Sequence, residues 1–143
     1  MIKAKKDMKN KRIINIVLDP MSLESDITYT FSLHAILDLH NINQNSNDII
    51  NSILEDIKPD KNEEVLMHVN GFGGTPLMEL YLLFDVGQKI LEKKGINVVR
   101  SLVGNYTTSL DMAGASFSIT KLNEKITKHW DSAVHTAALR WKI

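Results

Sequence analysis

A histidine at the margin of an alternating strand is the residue in this chain best placed to act as a nucleophile or a base. Ile27, Tyr29, Phe31 and Leu33 take one side of the segment, Thr28, Thr30 and Ser32 take the other, and His34 follows at once. A neutral imidazole can attack a carbon electrophile or accept a proton near neutral pH. Strand ends are also where side chains emerge at a sheet edge and binding sites form. The plainer reading is an ordinary strand-end histidine.

Gly71, Gly73 and Gly74 form a second candidate. They lie between an apolar run (Val65, Leu66, Met67, Val69) that stops at Asn70 and a Thr75-Pro76 pair that opens a periodic segment. A strand, a glycine loop and a helix start in that order focus backbone N–H groups, as phosphate sites do. No lysine follows as in a P-loop, and the G-x-G-x-x-G spacing is absent. The alternative is that the glycines let the chain turn sharply, for folding or for subunit contact.

The other histidines carry less. His40 sits in an ambiguous stretch, His68 lies within the apolar run, and His129 and His135 flank Trp130. None has metal-ligand spacing with another, so no metal is expected. Asp111 could cap a short helical piece or pair with Arg100. No carboxylate pair, Ser-His-Asp set or cofactor fingerprint is present.

These residues need elements to position them. Ile13–Leu18 reads as a buried strand and Ile27–Leu33 as a half-buried one. Positions 35–45 read as loop. Ser46 is expected to cap a helix carrying Ile49, Ile50, Ile53, Leu54 and Ile57, with Asp48 in its first turn, ended by Lys58-Pro59. Val65–Val69 is a central strand. Thr75 is the expected cap of the next helix, with Pro76 at its first position and a stripe of Leu77, Leu80, Tyr81, Phe84 and Leu91. Gly95 closes that helix. Strands over Ile96–Val103 and Ala115–Leu122 flank a short helical piece at Thr108–Ala113. A short helix, Asn123–His129, precedes an irregular end. The fold class is α/β, a mixed sheet with helices packed on it, because the first two strands lack a crossover helix. The expectation is one domain over residues 1–143.

The composition sets the bounds. The chain has 143 residues, 43% apolar and 24% charged, with 17 basic and 17 acidic residues. This suits one globular domain, and no net field favours nucleic acid or anionic lipid. Lys3, Lys5, Lys6, Lys9, Lys11 and Arg12 make a locally basic start, read as a solvated or frayed terminus over residues 1–12 or as a binding arm. There is no cysteine, no run of membrane-spanning length and no secretory leader pattern, so no membrane association and a cytoplasmic location are expected.

Three blocks carry a family resemblance: VNGFGGTPLMELYLL (Val69–Leu83), RSLVGNYTTSLDMAG (Arg100–Gly114) and WDSAVHTAALRW (Trp130–Trp141). Together they closely resemble the C-terminal lobe of the K subunit, or K domain, of dihydroxyacetone (glycerone) kinases. The likeness is dense from Asp48 to Trp141. Thr28–Asp38 falls in the frame of the family's segment Glu, apolar, Gly, apolar, Gly, Ile, His, Gly, Glu, Pro, Gly. The histidine and the apolar positions agree; the glycines and the Glu-Pro do not.

The resemblance implies that His34 attacks the ketone carbon of dihydroxyacetone and holds the ketose as a hemiaminal. Such a bond selects a ketose over glycerol, which has no carbonyl. It also implies a role in glycerol metabolism, an N-terminal K lobe supplying a Gly-Ser-Gly-His segment and an aspartate, and a nucleotide-binding L subunit or domain. Neither is matched in this sequence. The phosphoryl donor would be ATP or a phosphorylated phosphotransferase-system protein, reached through that partner, with no cofactor bound by this chain. The family associates as homodimers, so a homodimer is implied. Three readings follow: a dihydroxyacetone kinase component, a non-catalytic dihydroxyacetone-binding regulator, and an orphan structural lobe.

Overall fold

The computed structural model describes the backbone at 14–16, 31–35 and 42–45, and backbone with side chains at 46–137 and 139–142. The basic start lies outside these residues. The elements are β1 (Ile14–Ile16), β2 (Phe31–Ala35), α1 (Ile42–Ile57), β3 (Glu64–Gly71), α2 (Leu77–Lys93), β4 (Asn97–Gly104), β5 (Ala115–Lys121), α3 (Glu124–Trp130), β6 (Val134–His135) and β7 (Arg140–Trp141).

The first five strands form one sheet in the order β1-β2-β5-β3-β4. Only β3 and β4, joined through α2, run parallel; the other neighbouring pairs are antiparallel. The mixed α/β class expected from the sequence is what the chain adopts. The core lies between one sheet face and helices α1 and α2. Val65, Met67 and Val69 of β3 and Ala115, Phe117 and Ile119 of β5 pack with Ile50 and Ile53 of α1 and Leu80, Leu83 and Leu91 of α2. Alternate residues of the same strands, among them His68, Asn70, Ser116 and Ser118, take the other face.

Gly87 lets α2 settle on this core. A Cβ there would stand 2.9 Å from the Phe117 ring, 3.2 Å from Met67 Sδ and 3.3 Å from Ile50 Cδ1. Gly95 ends the helix as expected, with φ of +74°.

Several local expectations are corrected. β2 runs on through His34 to Ala35, so His34 is the penultimate residue of the strand rather than the residue after it. Residues 42–45, read as loop, are already helical, and Ser46 is not a cap. It lies fully buried on the same stripe as Ile49, Ile50, Ile53 and Ile57, and Asp48 is not in the first turn. Pro76 is the N-cap of α2 and Leu77 its first residue. Thr75 caps nothing, because its hydroxyl is engaged with Gly114. The core stripe of α2 is Leu80, Leu83, Gly87, Ile90 and Leu91; Leu77 and Tyr81 are exposed. Residues 108–113 form no helix. Asn123 caps α3, accepting from Ile126 N–H at 2.9 Å. The end expected to be irregular is a small β6–β7 hairpin.

Candidate functional site

The polarity of the strands places one end of the sheet apart. β2 and β3 both run antiparallel to β5, so they share a direction with each other and with β4. Their carboxyl ends meet at one edge, where ligands of open α/β sheets usually bind. The last row there is Ala35–Ala115–Gly71, and the row before it is His34–Ser116–Asn70. Both sequence candidates, His34 and the glycine loop, are therefore brought to the same end of the sheet.

The glycine loop is joined to the β4–β5 connection along its length. Gly73 N–H donates to Asn105 Oδ1 at 3.2 Å and Gly74 N–H to the Met112 carbonyl at 3.0 Å. Ser109 donates its amide and its hydroxyl to the Phe72 carbonyl, at 3.2 and 2.9 Å. The Thr75 hydroxyl donates to Gly114 C=O and accepts from Gly114 N–H, both at 2.8 Å. The approach is close enough to require glycine. A Cβ on Gly74 would lie 2.5 Å from the Asp111 carbonyl oxygen; on Gly73, where φ is +104°, one would lie 2.7 Å from that of Ser109. The amides of Gly73 and Gly74 are thus engaged within the protein, at a close approach of backbone that glycine permits.

Asn70 organises the same edge, and the sequence reading passed over it. Its Oδ1 accepts from the amides of Tyr106 and Thr107, both at 2.9 Å, while its Nδ2 donates to the Thr107 carbonyl at 2.8 Å. One buried side chain thus satisfies three backbone groups of the turn after β4. The available signal was an asparagine ending an apolar run directly before a glycine.

His68 is half-buried within β3, edge-on to the Tyr106 ring with centroids 5.7 Å apart. Burial lowers its pKa below the ordinary value, so the ring is held neutral. Its Nε2 has no hydrogen-bond partner among the described residues. His129 and His135 are exposed, and His40 lies outside the described residues. Asp111 is exposed and does not pair with Arg100, which instead bonds Asp131. No cluster of three metal-ligating side chains occurs among the described residues, and none of their helices is long and apolar enough to cross a membrane. A cavity of about 460 Å³, lined by Glu64, Asn123, Glu124, Lys128 and Asp131 among others, lies at the opposite end of β3, away from both candidates.

Comparison with known proteins assigns this architecture. The model of the Dak1 domain matches residues 35–138. The dihydroxyacetone-binding subunit DhaK of the PEP-dependent dihydroxyacetone kinase of Escherichia coli is 39% identical over 79 residues, which are 55% of this chain and 22% of that protein. The DhaK subunit of PTS-dependent dihydroxyacetone kinase 2 of Listeria innocua is 35% identical over 62% of this chain and 27% of its own length. The D-erythrulose kinase of Mycolicibacterium smegmatis is 31% identical over 64% of this chain and 16% of its own length. The chain therefore spans about a quarter or less of these relatives. Among solved structures, one described as the regulation of the dha operon of Lactococcus lactis aligns over 77% of this chain and 40% of its own, with a TM-score of 0.66 at 24% identity. The dihydroxyacetone kinase operon co-activator Dha-DhaQ aligns over 75% and 37%, with a TM-score of 0.61, also at 24% identity. With the family model covering more than half of its length, this chain belongs to the Dak1 domain family.

Proposed function

We propose that this chain is the ketose-binding part of a dihydroxyacetone kinase assembly, with His34 as the group that holds the substrate. The observation that supports this best is the row His34–Ser116–Asn70, one residue short of the carboxyl edge where β2, β3 and β4 converge. An imidazole nitrogen adds through its lone pair to the ketone carbon. The π pair of the carbonyl moves to oxygen, which takes up a proton as the ring gives one up. The hemiaminal is the sum of its two reactants, so the bond reverses without loss of water. A partner carrying ATP or a phosphorylated phosphotransferase-system protein would then deliver the phosphoryl group to a hydroxyl, giving dihydroxyacetone phosphate. Donor, acceptor and base must be held within a few ångströms for that step, so it belongs to the assembly with an L subunit and the remaining K lobe.

A second reading, binding without turnover, is favoured by one observation. The Thr28–Asp38 frame around His34 lacks the glycines and the Glu-Pro of the family's segment. Native mass spectrometry of the chain with dihydroxyacetone tests His34: the adduct is expected in the wild type and absent in His34→Ala. An adduct that survives the substitution rules His34 out. Calorimetric binding of dihydroxyacetone with no phosphorylated product, donor and L subunit present, selects the second reading over the first.

A further inference from the structure

β5 enters the sheet from a clamped backbone. The Gly114 carbonyl accepts from the Phe72 amide at 3.3 Å and from the Thr75 hydroxyl at 2.8 Å, while its amide donates to that same hydroxyl. Ala115 is then in register with Gly71 of β3 on one side and Ala35 of β2 on the other. Ser116, the second residue of the strand, therefore stands on backbone that is tied on both flanks. A side chain carried on such backbone is held where it can orient a neighbour.

Ser116 is 4% exposed and lies on the sheet face away from α1 and α2. A hydroxyl in so buried a residue ordinarily has a hydrogen-bond partner. Among the described residues no side-chain hydrogen bond of Ser116 occurs. Asn70, its neighbour in the row on the β3 side, spends its side chain on the backbone of Tyr106 and Thr107. Its neighbour on the β2 side is His34, directly opposite in the ladder. Opposed residues of an antiparallel pair share a face, with Cβ atoms about 4.5–5.5 Å apart. A serine oxygen, one bond beyond its Cβ, matches the height of an imidazole Nδ1, two bonds beyond its own. Nε2 reaches further from the sheet.

A neutral imidazole has one N–H and one lone pair, and the bond made at one nitrogen decides which form the ring takes. We propose that Ser116 is a positioning residue for His34: its hydroxyl accepts from the ring N–H at Nδ1 and so keeps the lone pair on Nε2, free to add to the ketone carbon. The consequence for ketose binding rests on the role proposed above for His34; the tautomer stands without it.

Nitrogen-15 NMR of the whole chain, at a pH where the ring is neutral, tests the tautomer, with the His34 signals assigned by their loss in His34→Ala. The wild-type ring is expected to carry its proton on Nδ1. In Ser116→Ala the proton is expected to move largely to Nε2, and dihydroxyacetone binding to the chain, followed by native mass spectrometry, to weaken about tenfold. Ser116→Thr keeps the hydroxyl and is expected to restore both. Ser118→Ala, on the same face but in the row of Ser32 and His68, is expected to change neither. A general loosening of β5 would move both readouts in Ser118→Ala as well. A wild-type ring protonated on Nε2, or a tautomer that Ser116→Ala does not change, overturns the proposal. A ketose adduct that survives His34→Ala, beside a ring whose tautomer does depend on Ser116, overturns the ketose role of His34 and upholds the positioning by Ser116.

Discussion

Arg100 of β4 and Asp131 after α3 face each other through two parallel hydrogen bonds, Nε to Oδ1 at 3.0 Å and Nη2 to Oδ2 at 2.8 Å. Lys142, just past β7, adds a second cation to the same carboxylate, 3.1 Å from Oδ1. The pair therefore fastens the C-terminal hairpin to the sheet. The bond from Arg100 first, and that from Lys142 second, pull the Asp131 pKa from 3.8 down to about 2. A carboxyl whose folded pKa is depressed stabilises the fold above its ordinary titration range and loses that contribution as pH falls toward the folded value. The hairpin is expected to loosen between about pH 4 and pH 2. Trp130 and Trp141, in edge contact at 5.9 Å, report it through their fluorescence. Asp131→Asn should show the loosened signal already at neutral pH and no further change over that acid window. A wild-type tryptophan signal that stays flat from pH 5 to about pH 2 would remove this fastening role.

His68 predicts a second pH dependence, with its own window. Burial lowers its pKa from 6.5, so the folded protein prefers the neutral ring and the unfolded chain binds the extra proton first. Stability from this group is complete above pH 6.5 and declines as pH falls below that value toward the lowered folded pKa. His68→Phe keeps a ring against Tyr106 and cannot charge. Urea titrations at pH 7 and pH 5 should show the variant losing less stability between the two than the wild type. Equal losses in both proteins would mean that the ring titrates as it does in water.

Much of the architecture was legible because it follows from periodicity. Val65–Val69 and Ala115–Leu122 read as strands from their apolar and β-branched content, and both pair in the core sheet. Gly95 after Lys93-Lys94 read as a helix end and carries the positive φ that such an end requires. The errors share one physical cause, a side chain recruited by a distant partner. Thr75 looks like a cap until Gly114, far along the chain, takes its hydroxyl. Ser46 looks like a cap until the buried face of α1 extends back to include it. Tyr81 fits a core stripe by period alone, but the sheet meets α2 some 80° further round, at Leu83 and Gly87. Of the candidate site, the glycine loop was visible as a turn. Its tie to residues 105–114 was not, since that tie depends on Asn70, Asn105 and Ser109 bonding backbone across the fold.

Gly87, the one glycine within α1, α2 and α3, is expected to resist replacement. Alanine there gains helix propensity of about 1 kcal/mol. It also forces a methyl group to 2.9 Å from Phe117 and close to Met67 and Ile50, all within the packed core. Overpacking of this kind costs about 1–3 kcal/mol, so Gly87→Ala should be net destabilising by about 1 kcal/mol and Gly87→Val by more. Chemical denaturation of the two variants gives the order; a stabilised Gly87→Ala would show that α2 can lift from the sheet at little cost.

Asn70 supplies the sharpest test of how the edge beside His34 is built. Asn70→Ala leaves the Tyr106 and Thr107 amides and the Thr107 carbonyl without their partner. Groups stranded in a partly buried turn cost about 1–3 kcal/mol, and water reaching the turn recovers part of it, so a loss of about 2 kcal/mol is expected. Asn70→Asp separates the contributions, because a carboxylate still accepts from both amides but cannot donate to the Thr107 carbonyl. Its loss should be smaller than that of alanine. Hydrogen exchange adds the local reading: amides 106 and 107 should lose protection in Asn70→Ala and keep it in Asn70→Asp. The Leu83 and Leu91 amides in α2 should exchange more slowly than those two in both variants. Protection at 106 and 107 that survives alanine would mean that the turn is held by the Gly73–Asn105 and Ser109–Phe72 bonds alone, and that Asn70 only fills space at the end of β3.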